Sequence, residues 1–269
     1  MAIDRDGCLV ALPLEISLQE FTIDRYDDGL TPRQFTSRFS IGGTPLTTSV
    51  NHPARYKGWH IYQVSYGVGF SVLKLVRNPF LALLALGAML LAVGALLSLG
   101  KVWSGGKIIV PVLALAAVFT VISVARINFG TLPPALRSLW FVPHLAVYML
   151  AYAILALAVA SCIGAAAGRK IPEGLPRRLL VTSSALLLIG MLCGAVWAQQ
   201  AWGSYWTWDP KECWAACTWL LTLVATHAPL RHKKLFLTLV ILAFLSMNVT
   251  WYGVNYLPSS CISLHTYNQ

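Results

Sequence analysis

The sequence predicts an all-α polytopic membrane protein of about six transmembrane helices, with a small β-rich extracytoplasmic domain at its N-terminal end. Three observations predict it. Of 269 residues, 57% are hydrophobic and 11% charged, and the mean hydropathy is +0.65. A soluble domain carries about 25% charged residues, so a surface this poor in charge needs a bilayer as its solvent. From Pro79 onward the chain is a succession of apolar runs near the roughly 20 residues that a span requires. Residues 1–78, by contrast, alternate apolar with polar side chains in short runs.

The β-rich segment reads as follows. Strands are expected at Leu14 to Leu18, Glu20 to Asp24, Gln34 to Ile41, Leu46 to Val50, Trp59 to Tyr66 and Phe70 to Val76. Asp27-Asp28-Gly29 and Gly42-Gly43 supply turns. Spans are expected near 79–100, 108–128, 141–167, 179–200, 211–229 and 235–256. Three of the joining loops are basic: Lys101 and Lys107; Arg169, Lys170, Arg177 and Arg178; Arg231, His232, Lys233 and Lys234. The loops around 129–140 and 201–210 carry only Arg137. Cytoplasmic loops collect Lys and Arg, so the basic loops belong inside, and the β domain and C-terminus outside. The first residues are too short and too acidic for a signal peptide, which suggests that the chain continues a longer protein.

The net charge of +10 fits those loops. No basic patch is interleaved with stacking aromatics, so no nucleic-acid partner is expected. Six cysteines (Cys8, Cys162, Cys193, Cys213, Cys217 and Cys261) form neither C-x-x-C nor C-x-x-C-H. That excludes a zinc ribbon, a thioredoxin-type pair and covalently attached haem. Cys162, Cys193 and Cys217 fall in apolar helices and read as packing residues.

The most informative segment runs from Trp202 to Trp214. Trp202, Trp206, Trp208, Trp214 and Trp219 are half of the chain's ten tryptophans, gathered within residues 202–219. An aromatic belt at the membrane interface accounts for Trp197, Trp219 and Trp251. It accounts poorly for Trp202, Trp206 and Trp208, with Gly203 and Ser204 among them. A broad, flat, apolar ring such as haem needs such a surface. Asp209, Pro210 and Glu212 read as N-cap, first helical position and capping-box partner, which would fix where the next helix starts.

This segment, WGSYWTWDPKECWAACTWL, resembles the tryptophan-rich WWD signature of haem-handling proteins, closest to the CcsA/ResC branch of cytochrome c biogenesis. Trp251 to Tyr256 followed by Leu264-His265-Thr266-Tyr267 resembles that family's C-terminal "GVN…LHSYG" segment. Phe141-Val142-Pro143-His144 resembles its external histidine before a span. Val50 to Gln63 resembles the last extracytoplasmic segment of the partner protein CcsB/ResB. The resemblance thus describes a CcsB–CcsA fusion lacking most of its CcsB half, with residues 1–78 as the CcsB/ResB end, 79–107 as a span and linker, and 108–269 as the CcsA/ResC-like part. Cys213 stands where the family often has Thr, and Thr266 where it often has Ser. The early CcsB helices are absent, and with them a transmembrane histidine.

The resemblance implies non-covalent haem b. Neutral imidazole is a standard axial ligand for haem iron. His144 and His265 lie on the side of the tryptophan loop, and the resemblance assigns them to an external haem. His227 follows Lys211 by sixteen residues, about 24 Å along a helix, which places it deep and towards the cytoplasmic side. Ionisable residues within spans mark sites or pathways, and the resemblance makes His227 one ligand of an intramembrane haem. His232 reads as a topology charge, and His52 and His60 as structural.

The implied function is haem transport to the outer face of an inner (cytoplasmic) membrane, with docking on Trp202, Trp206 and Trp208 between His144 and His265. Asp209 would aim the loop. The implied partners are an apocytochrome c carrying C-x-x-C-H, a CcsB/ResB-type protein or missing half, and thiol-reducing proteins. As an enzyme the chain would be a component of a holocytochrome c synthase. The alternatives are a haem carrier or exporter without ligation activity, and a transmembrane electron-transfer protein. The latter needs paired histidines within spans, where only His227 is found.

Overall fold

The computed structural model describes residues 14–67, 70–103, 132–229 and 231–258, with two short strands before them and scattered helical positions between 114 and 121. These form two compact units that are not contiguous in sequence. The first comprises residues 1–79, 129–138 and 198–203; the second holds the remainder.

The first unit contains β1 (Ala2–Ile3), β2 (Leu9–Val10), β3 (Ile16–Arg25), β4 (Pro32–Ile41), β5 (Thr44–Ser49), β6 (Ala54–Tyr56), β7 (Trp59–Gly67) and β8 (Phe70–Val76). They pair as β1-β2, β3-β4-β5 and β6-β7-β8, all antiparallel. The two three-stranded sheets share a core of Phe39, Ile41, Ala54 and Ile61. Gly42 (φ 54°) and Gly43 (φ 81°) form the two-residue β4–β5 connection. Two consecutive positive φ values match the right-handed twist of the flanking strands, and glycine reaches them without a Cβ clash. At the Asp28 turn, the Leu30 and Thr31 amides both donate to Asp28 Oδ1 at 2.9 Å.

Two expectations for this unit are corrected. The strands expected at Leu14 to Leu18 and Glu20 to Asp24 are one strand, β3, whose register shifts between Leu18 and Glu20. A bulge keeps the strand continuous while resetting which side chains face inward. Strand β6 was not expected. It is short, and Lys57 (φ 45°) and Gly58 (φ 83°) fold it directly back onto β7. The unit also gathers two segments far away in sequence. Asn51 Nδ2 donates to the Pro134 carbonyl at 2.9 Å, and the Tyr26 hydroxyl to that of Leu132 at 2.9 Å. Gln199 Nε2 donates to the Tyr62 hydroxyl at 2.8 Å.

The second unit is built from α1 (Leu81–Trp103), α2 (Phe141–Ala166), α3 (Leu175–Trp202, whose last turn belongs to the first unit), α4 (Pro210–His227) and α5 (Lys233–Trp251). Its core contains Tyr148, Tyr152, Leu155, Leu180, Leu187, Val240 and Met247. Helices α1, α2, α3 and α5 are long and apolar enough to cross a membrane, and fit a multi-pass membrane protein. The expected count of six spans stands at four among the described residues. Helix α4 is only 18 residues long and opens with Lys211 and Glu212. The span expected at 108–128 lies almost wholly outside the described residues.

Polar groups lock the helices together. Ser183 Oγ donates to the Ala151 carbonyl at 2.9 Å, and Trp103 Nε1 to Thr182 Oγ1 at 2.7 Å. Thr218 Oγ1 donates to Ser246 Oγ at 2.9 Å between α4 and α5. Small residues and hydroxyls at helix contacts are the usual glue where lipid removes the hydrophobic drive for association.

Candidate haem-handling site

The tryptophan loop is held from one carboxylate. Glu212 Oε2 accepts from the Thr207 amide at 2.8 Å, the Thr207 hydroxyl at 3.2 Å and the Asp209 amide at 3.2 Å. Asp209, buried at 5% exposure, accepts in turn from the Lys211 amide at 2.8 Å. This is the expected capping box, with Pro210 at the first helical position. Between the two amides that Glu212 gathers stands Trp208, forced to φ 60°. Left-handed backbone is strained for a bulky side chain. Trp208 is 78% exposed, and its ring stands edge-on to Trp206 at 6.0 Å and 89°.

Under this pair lies an apolar groove of about 400 Å³, lined by Trp206, Trp208, Cys213, Cys217, Leu220 and Val224 among others. The lining positions recur every three or four residues, hence share one face of α4. The face opposite buries Ala215, Thr218, Thr222 and Ala225. Cys217, expected as a packing residue, is half-buried and lines the groove with Cys213, whereas Cys162 is buried in the core.

A second groove of about 480 Å³ continues along the helix, lined by Leu223, Val224, His227, Ala228, Pro229, Leu235 and Leu239. The two share Val224. His227 ends α4; its Nδ1 lies 2.8 Å from the Leu223 carbonyl. A carbonyl only accepts, so Nδ1 carries the hydrogen and the lone pair falls on Nε2. Arg177, at the start of α3, donates to the carbonyl of Ala228, the C-cap of α4, and lies over the Phe236 ring at 5.8 Å.

His144 sits in the first turn of α2. Its Nδ1 is 2.8 Å from the Gly190 carbonyl, which by the same reasoning leaves the electron pair on Nε2. The ring lies 4.9 Å from Tyr148 and 5.7 Å from Trp197. The tryptophan set falls in two places. Trp206 and Trp208 belong to the second unit, while Trp202 closes α3 in the first unit at 8% exposure, its carbonyl accepting from Lys74 Nζ at 2.9 Å. Gly203 follows at φ 70°, and a Cβ there would meet the Tyr62 ring at 2.7 Å. Only glycine ends the helix in that space. His265 lies outside the described residues.

The donor chemistry suits haem. No cluster of three or more His, Cys, Asp or Glu side chains able to hold a bare metal ion occurs among the described residues. A porphyrin brings four nitrogens of its own and asks the protein for one or two axial ligands. The Tyr205 hydroxyl is pushed up in pKa by burial and stays protonated at neutral pH. Two features were not anticipated from sequence: the Glu212 clamp that fixes Trp208, and the small-residue spacing Gly190-Met191-Leu192-Cys193-Gly194 beneath His144. The second carries a sequence signal, G-x-x-x-G in an apolar helix.

Four apolar helices define the class as a multi-pass membrane protein. The sequence matches the family described as "Cytochrome C assembly protein" over residues 74–262, and the "ResB-like family" over residues 2–69. The chain belongs to the cytochrome c assembly family, as a CcsA-type protein bearing an N-terminal ResB-like remnant. It is 33% identical to the cytochrome c biogenesis protein CcsA of Chlamydomonas reinhardtii over 181 residues, covering 60% of this chain and 50% of that protein. It is 39% identical to CcsA of Gloeobacter violaceus over 98 residues (35% and 28%) and 41% identical to CcsA of Oryza sativa over 95 residues (34% and 28%). The chain thus spans half or less of the length of these relatives.

Proposed function

We propose that this chain carries haem b across the membrane and presents it at the outer face for covalent attachment to apocytochrome c. Haem is the cargo. His227 receives it near the cytoplasmic side, and His144 and His265 supply the external axial ligands, with Trp206 and Trp208 as the apolar wall beneath the ring. Asp209 and Glu212 aim that wall, and Trp202 anchors the loop's other end. The observation that carries this reading is the apolar strip along α4, which starts under the Trp206–Trp208 pair and runs through Val224 to His227.

The chemistry asked of the protein is positioning. Two cysteine thiols of an apocytochrome C-x-x-C-H segment add across the two haem vinyl groups. Each addition breaks the thiol S–H bond and the vinyl π bond, forms one C–S and one C–H bond, and leaves no net redox change. Orienting two reactants lowers such a barrier without a general acid or base. The cytochrome's histidine then takes one axial position. Thiol-reducing proteins keep the cysteines as thiols, and a CcsB/ResB-type partner supplies what the remnant of residues 1–78 lacks. The basic loops support an orientation with the β domain and the tryptophan loop outside, because Lys and Arg collect in cytoplasmic loops.

The purified protein tests this by its haem spectrum. His144→Ala and His265→Ala should each shift the ferrous spectrum, and added imidazole should restore it. Unchanged spectra in both variants reject the external site. Co-expression with a c-type cytochrome reporter and the CcsB partner should give covalent haem in the reporter. Bound haem without covalent product would make the protein a carrier alone.

A further inference from the structure

We infer that Gly190 and Gly194 form a cradle that positions His144 and fixes its tautomer, so that Nε2 is the nitrogen offered to iron. This rests on the assignment of His144 as a haem ligand, and adds the residues that make it one.

The two glycines stand one turn apart on α3, the spacing of a helix-dimer motif. Here they face side chains of α2. A Cβ on Gly194 would lie 2.6 Å from His144 Cε1 and 2.7 Å from Nδ1. A Cβ on Gly190 would lie 2.9 Å from Tyr148 Cδ2. Both are closer than a Cβ approaches other heavy atoms. The acceptor of His144 Nδ1 is the Gly190 carbonyl, at 2.8 Å. In an α-helix that carbonyl also points at the amide four residues on, which is Gly194. Glycine at 194 therefore uncovers the carbonyl of 190, and the imidazole occupies the space a side chain would fill.

The arrangement does what a metal-binding histidine needs. A hydrogen bond from one ring nitrogen to a carbonyl fixes the ring's orientation and places the electron pair on the other nitrogen. Tyr148 and Trp197, at 4.9 and 5.7 Å, close two sides of the ring. Glycine is a poor helix former, so two within one turn need a reason. By contrast, Gly164 on α2 would place a Cβ at an ordinary 3.5 Å from Ile171, and Gly94 on α1 would meet nothing within 4 Å.

Gly194→Ala should lower haem affinity about tenfold or more, the usual effect of losing a partner that orients a metal ligand. The ferrous spectrum should follow that of His144→Ala, and added imidazole should restore it. Gly94→Ala and Gly164→Ala should leave both unchanged. A haem-independent readout separates the two layers: diethyl pyrocarbonate should modify His144 faster in Gly194→Ala than in the parent, by mass spectrometry. Should Gly194→Ala fold poorly, the Gly194→Ala/His144→Gly double variant should recover its thermal midpoint, because the ring struck by the Cβ is gone. Unchanged His144 reactivity together with an unchanged spectrum in Gly194→Ala overturns the cradle, as does a midpoint loss that the double variant does not relieve. Faster modification combined with a spectrum insensitive to His144→Ala keeps the cradle and rejects the haem assignment.

Discussion

Trp208 carries a conflict between backbone and function. Its φ of 60° is a strained value for a residue with a bulky Cβ substituent, held by amides on either side that both reach Glu212. Strain kept at a position whose side chain is mostly exposed points to use of that side chain. Trp208→Gly should accordingly raise stability, by about 1 kcal/mol from relief of the left-handed conformation, while weakening haem retention. A urea or thermal midpoint set beside a haem titration measures both, and a fall in the two together would show that the indole is a packing residue. The capping box was legible from Asp209-Pro210-Lys211-Glu212, because caps are local and their spacing is fixed by helix geometry. The conformation of Trp208 was not, since it depends on a side chain four residues later gathering two amides at once.

Helix α4 has two working faces. The Ala215–Thr218–Thr222–Ala225 face packs, and the Cys213–Cys217–Leu220–Val224 face lines the groove. Neither face is charged, and small residues, threonines and cysteines are spread over both, so hydrophobic pattern alone did not divide them. The neighbour α5 does, by placing Ser246 against Thr218. At the far end Arg177 satisfies the Ala228 carbonyl, one of the acceptors a helix C-terminus leaves without an intrahelical donor. A hydrogen bond from a charged donor contributes about 2 kcal/mol, and its loss strands that carbonyl. Arg177→Met should therefore loosen residues 228–232 and speed tryptic cleavage after Arg231 in inside-out vesicles. A cleavage rate equal to that of the parent would show that Phe236 and the helix ends hold the loop without it. In the sequence Arg177 was one of four positive-inside charges of its loop; only the fold separates it from Arg178, which is exposed.

At the scale of the molecule, the β strands fold with residues 132–138, in one loop region poor in positive charge, and with 198–203, the end of α3 that leads into the other. The proposed topology puts all three on one side of the membrane, in line with the charge asymmetry of the loops. Cysteine labelling tests the proposed orientation. In a variant whose native cysteines are replaced, Leu139→Cys should react with an impermeant maleimide in intact cells, and Lys170→Cys only after permeabilisation. The opposite pattern would reverse the topology and move the tryptophan loop to the cytosol.

Although the span expected at 211–229 is the shorter helix α4, four helices long and apolar enough to span a membrane, the position of most strands, the helix cap and the family (through WGSYWTWDPKE and the ResB-like segment) were legible in the sequence by itself. These are written in periodicity, charge and short motifs, which act within a few residues of one another. Only the tertiary structure decided which indole is exposed, which face of α4 is open, and that His144 meets a carbonyl 46 residues away on another helix. Such pairings depend on how helices approach each other. Glycine records that approach as a missing side chain, which has no meaning until the neighbour that fills the space is known.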